Sequence, residues 1–255
     1  MVLVITYHTI SQEKGCIMIK VVPILKLRRL LRPSTVRLIV LSLIVTANIA
    51  VAAPAFATHL FDGGSRWVAN NTGAAATIET AVNPTVASGG SSSAWPMVVG
   101  YYDADQQYIQ VGWCKDYPQS APVYFWEYSN YHSPNQIHYM KYLGTSTIGS
   151  YNDFMVGRDS STWYAKINGN IVGTVGYSAL GIEGYRTDFL GETFTRSDHM
   201  PGITSNKNSF GSLQYKDSSF VWHTQTVGSV INDATDIYAN NAVAGAASFW
   251  IWDKR

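Results

Sequence analysis

Apolar and aromatic positions in this sequence come in short alternating runs, not in helical stripes. The stretch from Trp95 to Tyr128 sets the pattern. It holds Trp95-Pro96-Met97-Val98-Val99-Gly100, then Tyr108-Ile109-Gln110-Val111-Gly112-Trp113, then Tyr124-Phe125-Trp126-Glu127-Tyr128. Gly, Asp, Pro and Ser separate the runs, with Asp103-Ala104-Asp105 as the first turn, which reads as adjacent antiparallel strands. Neighbours on a strand point to opposite faces. Gln110 therefore shares a face with Tyr108 and Gly112, and Glu127 shares one with Phe125. A polar group on such an aromatic face needs a partner or a task.

The rest of the chain repeats this grammar. Strands are predicted over Ala74–Val82, Tyr151–Gly157, Tyr185–Arg196, Ser209–Tyr215, Phe220–Thr226 and Phe249–Trp252. Thr162–Ile167 and Asn170–Val175 flank Asn168-Gly169, whose residues accept the positive φ angles of a two-residue type I′ hairpin turn. Asp62-Gly63-Gly64-Ser65 and Asn70-Asn71-Thr72-Gly73 read as turn clusters. Asn130 to Gly149 reads as a long loop with one strand, and Ala242 to Ala247 as a single helical turn. No segment sustains a 3.6-residue period, so the fold class is all-β, an antiparallel β-sandwich in a single domain.

The first 57 residues stand apart. Lys26, Arg28, Arg29, Arg32 and Arg37 lead into an apolar run from Leu38 to Ala53, and Ala55-Phe56-Ala57 offers small residues at a cleavage site. This is the pattern of a secretory signal, predicted to be cut before Thr58, with Met18 as an alternative start. The apolar run has 16 residues, short of the roughly 20 that span a bilayer. A secreted, extracellular domain over residues 58–255, with no stable membrane anchor after cleavage, is the expectation.

Setting the leader aside changes the electrostatics. It carries 7 of the 18 basic and 1 of the 17 acidic residues, leaving 11 and 16, a net charge of −5 with His neutral. The pI near 7.8 belongs to the whole chain. No Lys/Arg cluster remains to bind nucleic acid. Of two cysteines only Cys114 follows the leader, and beside Trp113 it reads as a small buried hydrophobe. His59, His132, His138, His199 and His223 show no zinc-ligand spacing, and no GxSxG elbow or phosphate-cradling loop occurs. No cofactor and no metal are expected, and the domain reads as a monomer.

Gln110, Glu127 and Glu192 remain as candidate chemistry, the last in Phe189-Leu190-Gly191-Glu192-Thr193-Phe194. Here the sequence resembles the glutamic endopeptidases of the eqolisin type. Ala81-Val82-Asn83-Pro84, the Ser88–Ser93 loop and Ala94-Trp95 resemble that family's strand, glycine-serine loop and Ala-Trp-Val-Gly start. Ile109-Gln110-Val111-Gly112 is similar to its Leu-Gln-Thr-Gly, and Phe125-Trp126-Glu127-Tyr128 to its Trp-Tyr-Glu-Trp. The Glu192 segment is similar to its Phe-Ile-Ile-Glu-Asp-Phe. The order along the chain is shared. Val99 departs from the family's Asp, Gly191 from an aliphatic residue and Thr193 from an acid.

The resemblance implies a jelly-roll, concanavalin-like form of the sandwich and a secreted, acid-acting endopeptidase. Gln110 and Glu192 would be its catalytic dyad, with Trp95, Trp126, Glu127 and Tyr128 in the substrate cleft and a polypeptide as substrate. Glu192 would be the general base, and Gln110 would donate its amide to the oxyanion. Two other readings stay open. A lectin-like module would bind polysaccharide on its tyrosines and tryptophans. A glycoside hydrolase would use Glu127 and Glu192 as paired carboxylates.

Overall fold

The computed structural model describes residues 59–101, 107–132 and 136–255. The predicted leader and the predicted turn at Asp103–Asp105 lie outside the described residues. Sixteen strands are described: β1 Leu60–Asn71, β2 Gly73–Glu79, β3 Ser91–Gly100, β4 Gln107–Asp116, β5 Val123–Asn130, β6 Ile137–Thr145, β7 Tyr151–Arg158, β8 Thr162–Ile167 and β9 Asn170–Gly176, then β10 Gly184–Thr193, β11 Gly202–Ile203, β12 Asn206–Lys216, β13 Trp222–Thr224, β14 Ser229–Asn232, β15 Tyr238–Asn240 and β16 Phe249–Asp253. One helical turn, α1 Tyr177–Leu180, follows β9.

The strands form two sheets. The first has the order β14-β1-β10-β3-β4-β5-β6. The second runs β15-β16-β11-β12-β2-β7-β8-β9, with β13 on β12. All pairings are antiparallel except the single contact of β11 with β16. The all-β sandwich expected from the alternation is the fold. Val98, Ile109, Val111, Trp113 and Phe189 of the first sheet meet Ile78, Phe154, Val156, Trp163 and Phe210 of the second in one buried core. Burying side chains of this size supplies roughly 1.5–3 kcal/mol each, so the sandwich holds its sheets together without a disulfide.

The Asn168-Gly169 hairpin forms as predicted, with φ of 50° and 80° at its two turn residues. The turn expected at Asp62–Ser65 does not form. β1 runs straight through it, paired with β10 on one side and β14 on the other. Gly63 is there for packing, since a Cβ would sit 2.4 Å from the Phe189 carbonyl oxygen and its φ is 145°. The helical turn expected at Ala242–Ala247 is absent, and α1 lies elsewhere. Among the described residues no helix is long and apolar enough to cross a membrane.

The first sheet buries a second apolar cluster on its other face. Trp95, Met97, Val99, Cys114, Phe125 and Leu190 pack there, flanked by Phe61, Tyr108 and Met140. The central strands are consequently covered on both sides, and β3 is buried along its whole length. This second face carries the polar residues singled out in the sequence.

Candidate active site

On the face turned away from the second sheet, alternate residues of six strands enclose a groove of about 560 Å³. β3 supplies Ser93, Trp95 and Met97, β4 supplies Tyr108 and Gln110, and β5 supplies Phe125 and Glu127. β6 gives His138, Met140 and Tyr142, β1 gives Phe61, and β10 gives Glu192. Gly112 follows Gln110 on the same face of β4. A Cβ there would lie 2.1 Å from the Ala94 carbonyl oxygen and 2.8 Å from the Trp95 Cβ. Glycine lets β3 and β4 close beneath the Trp95 ring.

Glu192 is 8% exposed and sits between β1 and β3, across from Phe61 and Ser93. Trp95 Nε1 donates to its Oε2 at 3.0 Å, and Ser93 Oγ approaches the same oxygen at 3.4 Å. His59 Nδ1 contacts Oε1. The carboxylate is thus fixed in the groove by three donors.

A second carboxylate anchors the opposite end. Glu127 faces Gln110 directly across the β4–β5 ladder. Gln110 Nε2 donates to Glu127 Oε2 at 2.7 Å, and Tyr108 donates to Oε1 at 2.6 Å. His138 Nε2 reaches Oε1 at 2.8 Å. The hydrogen bond that its ring makes to Glu127 holds the His138 imidazole above its ordinary pKa. Burial, then the Glu127 charge, pushes the Tyr108 phenol well up, and Glu192 adds to this. Both carboxylates therefore act on one shared space. Gln110 is 6% exposed, and its Oε1 has no partner among the described residues.

The groove also contains Asp116, which accepts from Ser91 Oγ at 2.5 Å and from the Tyr142 hydroxyl. Cys114 is buried at 1% exposure, and burial raises its thiol pKa. A nucleophilic cysteine needs the thiolate, so Cys114 is a packing residue. Among the described residues, no cluster of three His, Cys, Asp or Glu side chains forms a metal site.

Glu192 pairs across from Ser93, and Gln110 across from Met97. The two are offset by two strands and four register positions, roughly 16 Å at the backbone of a flat sheet. Trp95 lies between them. Both side chains line the same groove, with space between them for a ligand.

Gln110, Glu192, Glu127 and Trp95 all line this groove. Trp126 and Tyr128, also expected in the cleft, do not. Strand alternation turns them to the opposite face, where they join the inter-sheet core at 4% and 9% exposure. Trp126 lies against Gly173 of the second sheet, where a Cβ would come within 2.1 Å of its ring. Val99, at the position where the resemblance has an Asp, is buried in the apolar cluster. Sequence reasoning missed His59, His138, Asp116 and Ser93 as groove residues. Tyr108 was legible, since it shares the Gln110 face by simple alternation.

This architecture defines a two-sheet β-sandwich with a polar groove on the outer face of one sheet. In particular, it is the fold of the glutamic peptidases. Scytalido-glutamic peptidase bound to a peptide-based transition-state analog aligns with a TM-score of 0.54 and 12% identity, over 77% of this chain and 98% of that one. A second structure of that peptidase with a transition-state analog inhibitor gives 0.55 at 12%, with the same coverage. SCP-B, a member of the eqolisin peptidases in complex with the tripeptide Ala-Ile-His, gives 0.52 at 10%, again over 77% and 98%. No known family profile matches the sequence. No curated protein matches it either.

Proposed function

We propose that this chain is a secreted, acid-acting endopeptidase with Glu192 and Gln110 as its catalytic pair. The observation that carries the reading is the groove itself. A buried carboxylate held by the Trp95 indole lines it together with the Gln110 amide, on a fold shared with peptidases that bind peptide-like ligands.

In this reading an extended polypeptide lies over Trp95 with its scissile carbonyl between the two residues. Glu192 takes a proton from a water molecule, which adds to the carbonyl carbon. The oxyanion that forms accepts a hydrogen bond from the Gln110 amide, a role for which a preorganised donor is suited. Glu192 then returns the proton to the amine nitrogen as the C–N bond breaks. A carboxylate base suits acid pH, because an ordinary Glu titrates near ~4.3. No cofactor takes part.

The glycosidase reading needs its two carboxyls about 5–9.5 Å apart, and the register sets Glu127 one strand farther from Glu192 than Gln110 is. A glycan-binding role has one supporting observation, the half-exposed rings of Tyr131 and Tyr142 at the groove wall.

The test is cleavage of an unfolded protein at about pH 3–5, across which an ordinary carboxylate ionises, by the purified domain beside Glu192→Gln and Gln110→Ala. Cleavage by the wild type, abolished in the first variant and reduced about 10²–10³-fold in the second, is the expected result. Absence of cleavage by the wild type from acid to neutral pH would overturn the reading, and glycan-array binding would then be the next measurement.

A further inference from the structure

Glu192 has two carboxylate oxygens, and separate parts of the chain engage each. Oε2 faces the groove wall, where Trp95 Nε1 and Ser93 Oγ hold it. Oε1 is met by His59 Nδ1. The base described above must offer one oxygen to water. Oε2 is embedded among residues of β3, so the oxygen available for that task is Oε1, and the imidazole sits on it.

The two partners are held very differently. Glu192 lies inside β10, laddered to β1 on one side and β3 on the other, with its side chain 11% exposed. His59 precedes β1, whose ladder with β10 starts at Leu60. Its side chain is 44% exposed. Its ring rests on Phe194 at a centroid distance of 4.5 Å and lies 6.3 Å from Phe61. A rotation of His59 clears Oε1 without breaking a strand pair, whereas moving Glu192 would disturb three central strands.

We infer that His59 is an autoinhibitory cap on Glu192, an imidazole that covers the reactive carboxylate oxygen until substrate displaces it. This rests on the reading of Glu192 as the base. The chemistry is simple competition. The cap and the nucleophilic water compete for the same carboxylate oxygen, and the imidazole must swing aside before the water can approach it from the groove. Phe194 holds the ring over the carboxylate, so the resting state is the covered one.

The experiment uses the domain with wild-type His59, His59→Ala and His59→Phe. The phenylalanine variant keeps an aromatic ring against Phe194 and removes the ring nitrogen. Two readouts are taken. The first is the rate at which a water-soluble carbodiimide and an amine label Glu192, followed by peptide mass spectrometry, with Glu192→Gln as the blank. The second is kcat/KM on an unfolded protein in acid. Labelling is expected to rise about tenfold in both variants, the weight of one hydrogen bond to a charged group, and kcat/KM is expected to rise with it. Unchanged or slower labelling in both variants would overturn the cap. Faster labelling with no proteolysis in any form would keep the cap and overturn the peptidase reading. Faster labelling with lower kcat/KM would overturn autoinhibition and make His59 a residue that positions the base.

Discussion

Gln110 and Glu127 are direct cross-strand partners, and the hydrogen bond between them at 2.7 Å decides which way the glutamine amide points. An ionised carboxylate accepts and cannot donate. Glu127 therefore takes one N–H of Gln110 Nε2 and fixes the amide, and the second N–H is the donor that the proposed role requires, while Oε1 has no partner among the described residues. Glu127→Gln removes that constraint, because a glutamine partner can meet either end of the amide. The expected outcome is a fall in kcat of about tenfold with little change in KM. This is the signature of a donor misoriented in the transition state. Steady-state kinetics on a peptide substrate checks it.

His138 offers a pH readout of the same cluster. Its hydrogen bond to Glu127 raises its pKa. The pair thus favours the folded state at pH values below the ordinary histidine pKa, and the contribution is lost as pH rises through the raised value. An NMR titration of the His138 ring is expected to give a pKa above that of a free histidine, and Glu127→Gln is expected to bring it down. An unchanged titration in the variant would rule out the coupling.

Asp62 makes the fold itself sensitive to pH in the opposite sense to most carboxylates. It is fully buried in β1, and burial raises its pKa from 3.8 to about 7, against a hydrogen bond from Asn240 that lowers it. Its Oδ2 has no partner among the described residues. The folded state prefers the protonated acid. The stabilisation is therefore complete below about pH 3.8 and is lost as pH rises through about 7. The span corresponds to roughly 4 kcal/mol at most. Asp62→Asn keeps the shape and removes the titration. Its melting temperature is expected to match the wild type in acid and to exceed it at mildly alkaline pH.

Gly112 couples the fold to the groove. Alanine there would press on the Ala94 carbonyl and the Trp95 Cβ, both on the neighbouring strand. Overpacking of this kind costs about 1–3 kcal/mol. Gly112→Ala is expected to lower the unfolding free energy by that amount and to reduce activity further than the stability loss explains, because the Trp95 indole that holds Glu192 would shift. Chemical denaturation beside kcat/KM separates the two effects.

Much of this was legible in period-two alternation. It gave the all-β sandwich, put Tyr108 beside Gln110 and Phe125 beside Glu127, and, with the Asn-Gly rule, gave the hairpin at Asn168-Gly169. The same rule, carried one residue further, turns Trp126 and Tyr128 away from Glu127. Their place in the cleft came from motif similarity alone, and the core claims them. Gly63 and Gly64 were misread because glycine signals both a turn and a close approach, and the choice depends on β10, which arrives more than a hundred residues later. His59 and His138 carried no local signal. Their significance comes from partners across the sheet, Glu192 at 133 positions along the chain and Glu127 across the β5–β6 ladder.

The strand order has a consequence for how the site comes into being. Gln110 and Glu127 are 17 residues apart and meet within consecutive strands, so their half of the groove can form early. Trp95 and Glu192 are 97 residues apart and meet only when β10 inserts between β1 and β3. Non-local strand pairing of this kind is the slow part of assembly. The amide half of the groove thus rests on local pairing and the carboxylate half on non-local pairing. The groove gains both only when β10 has docked between β1 and β3, so complete folding is a precondition for any chemistry there.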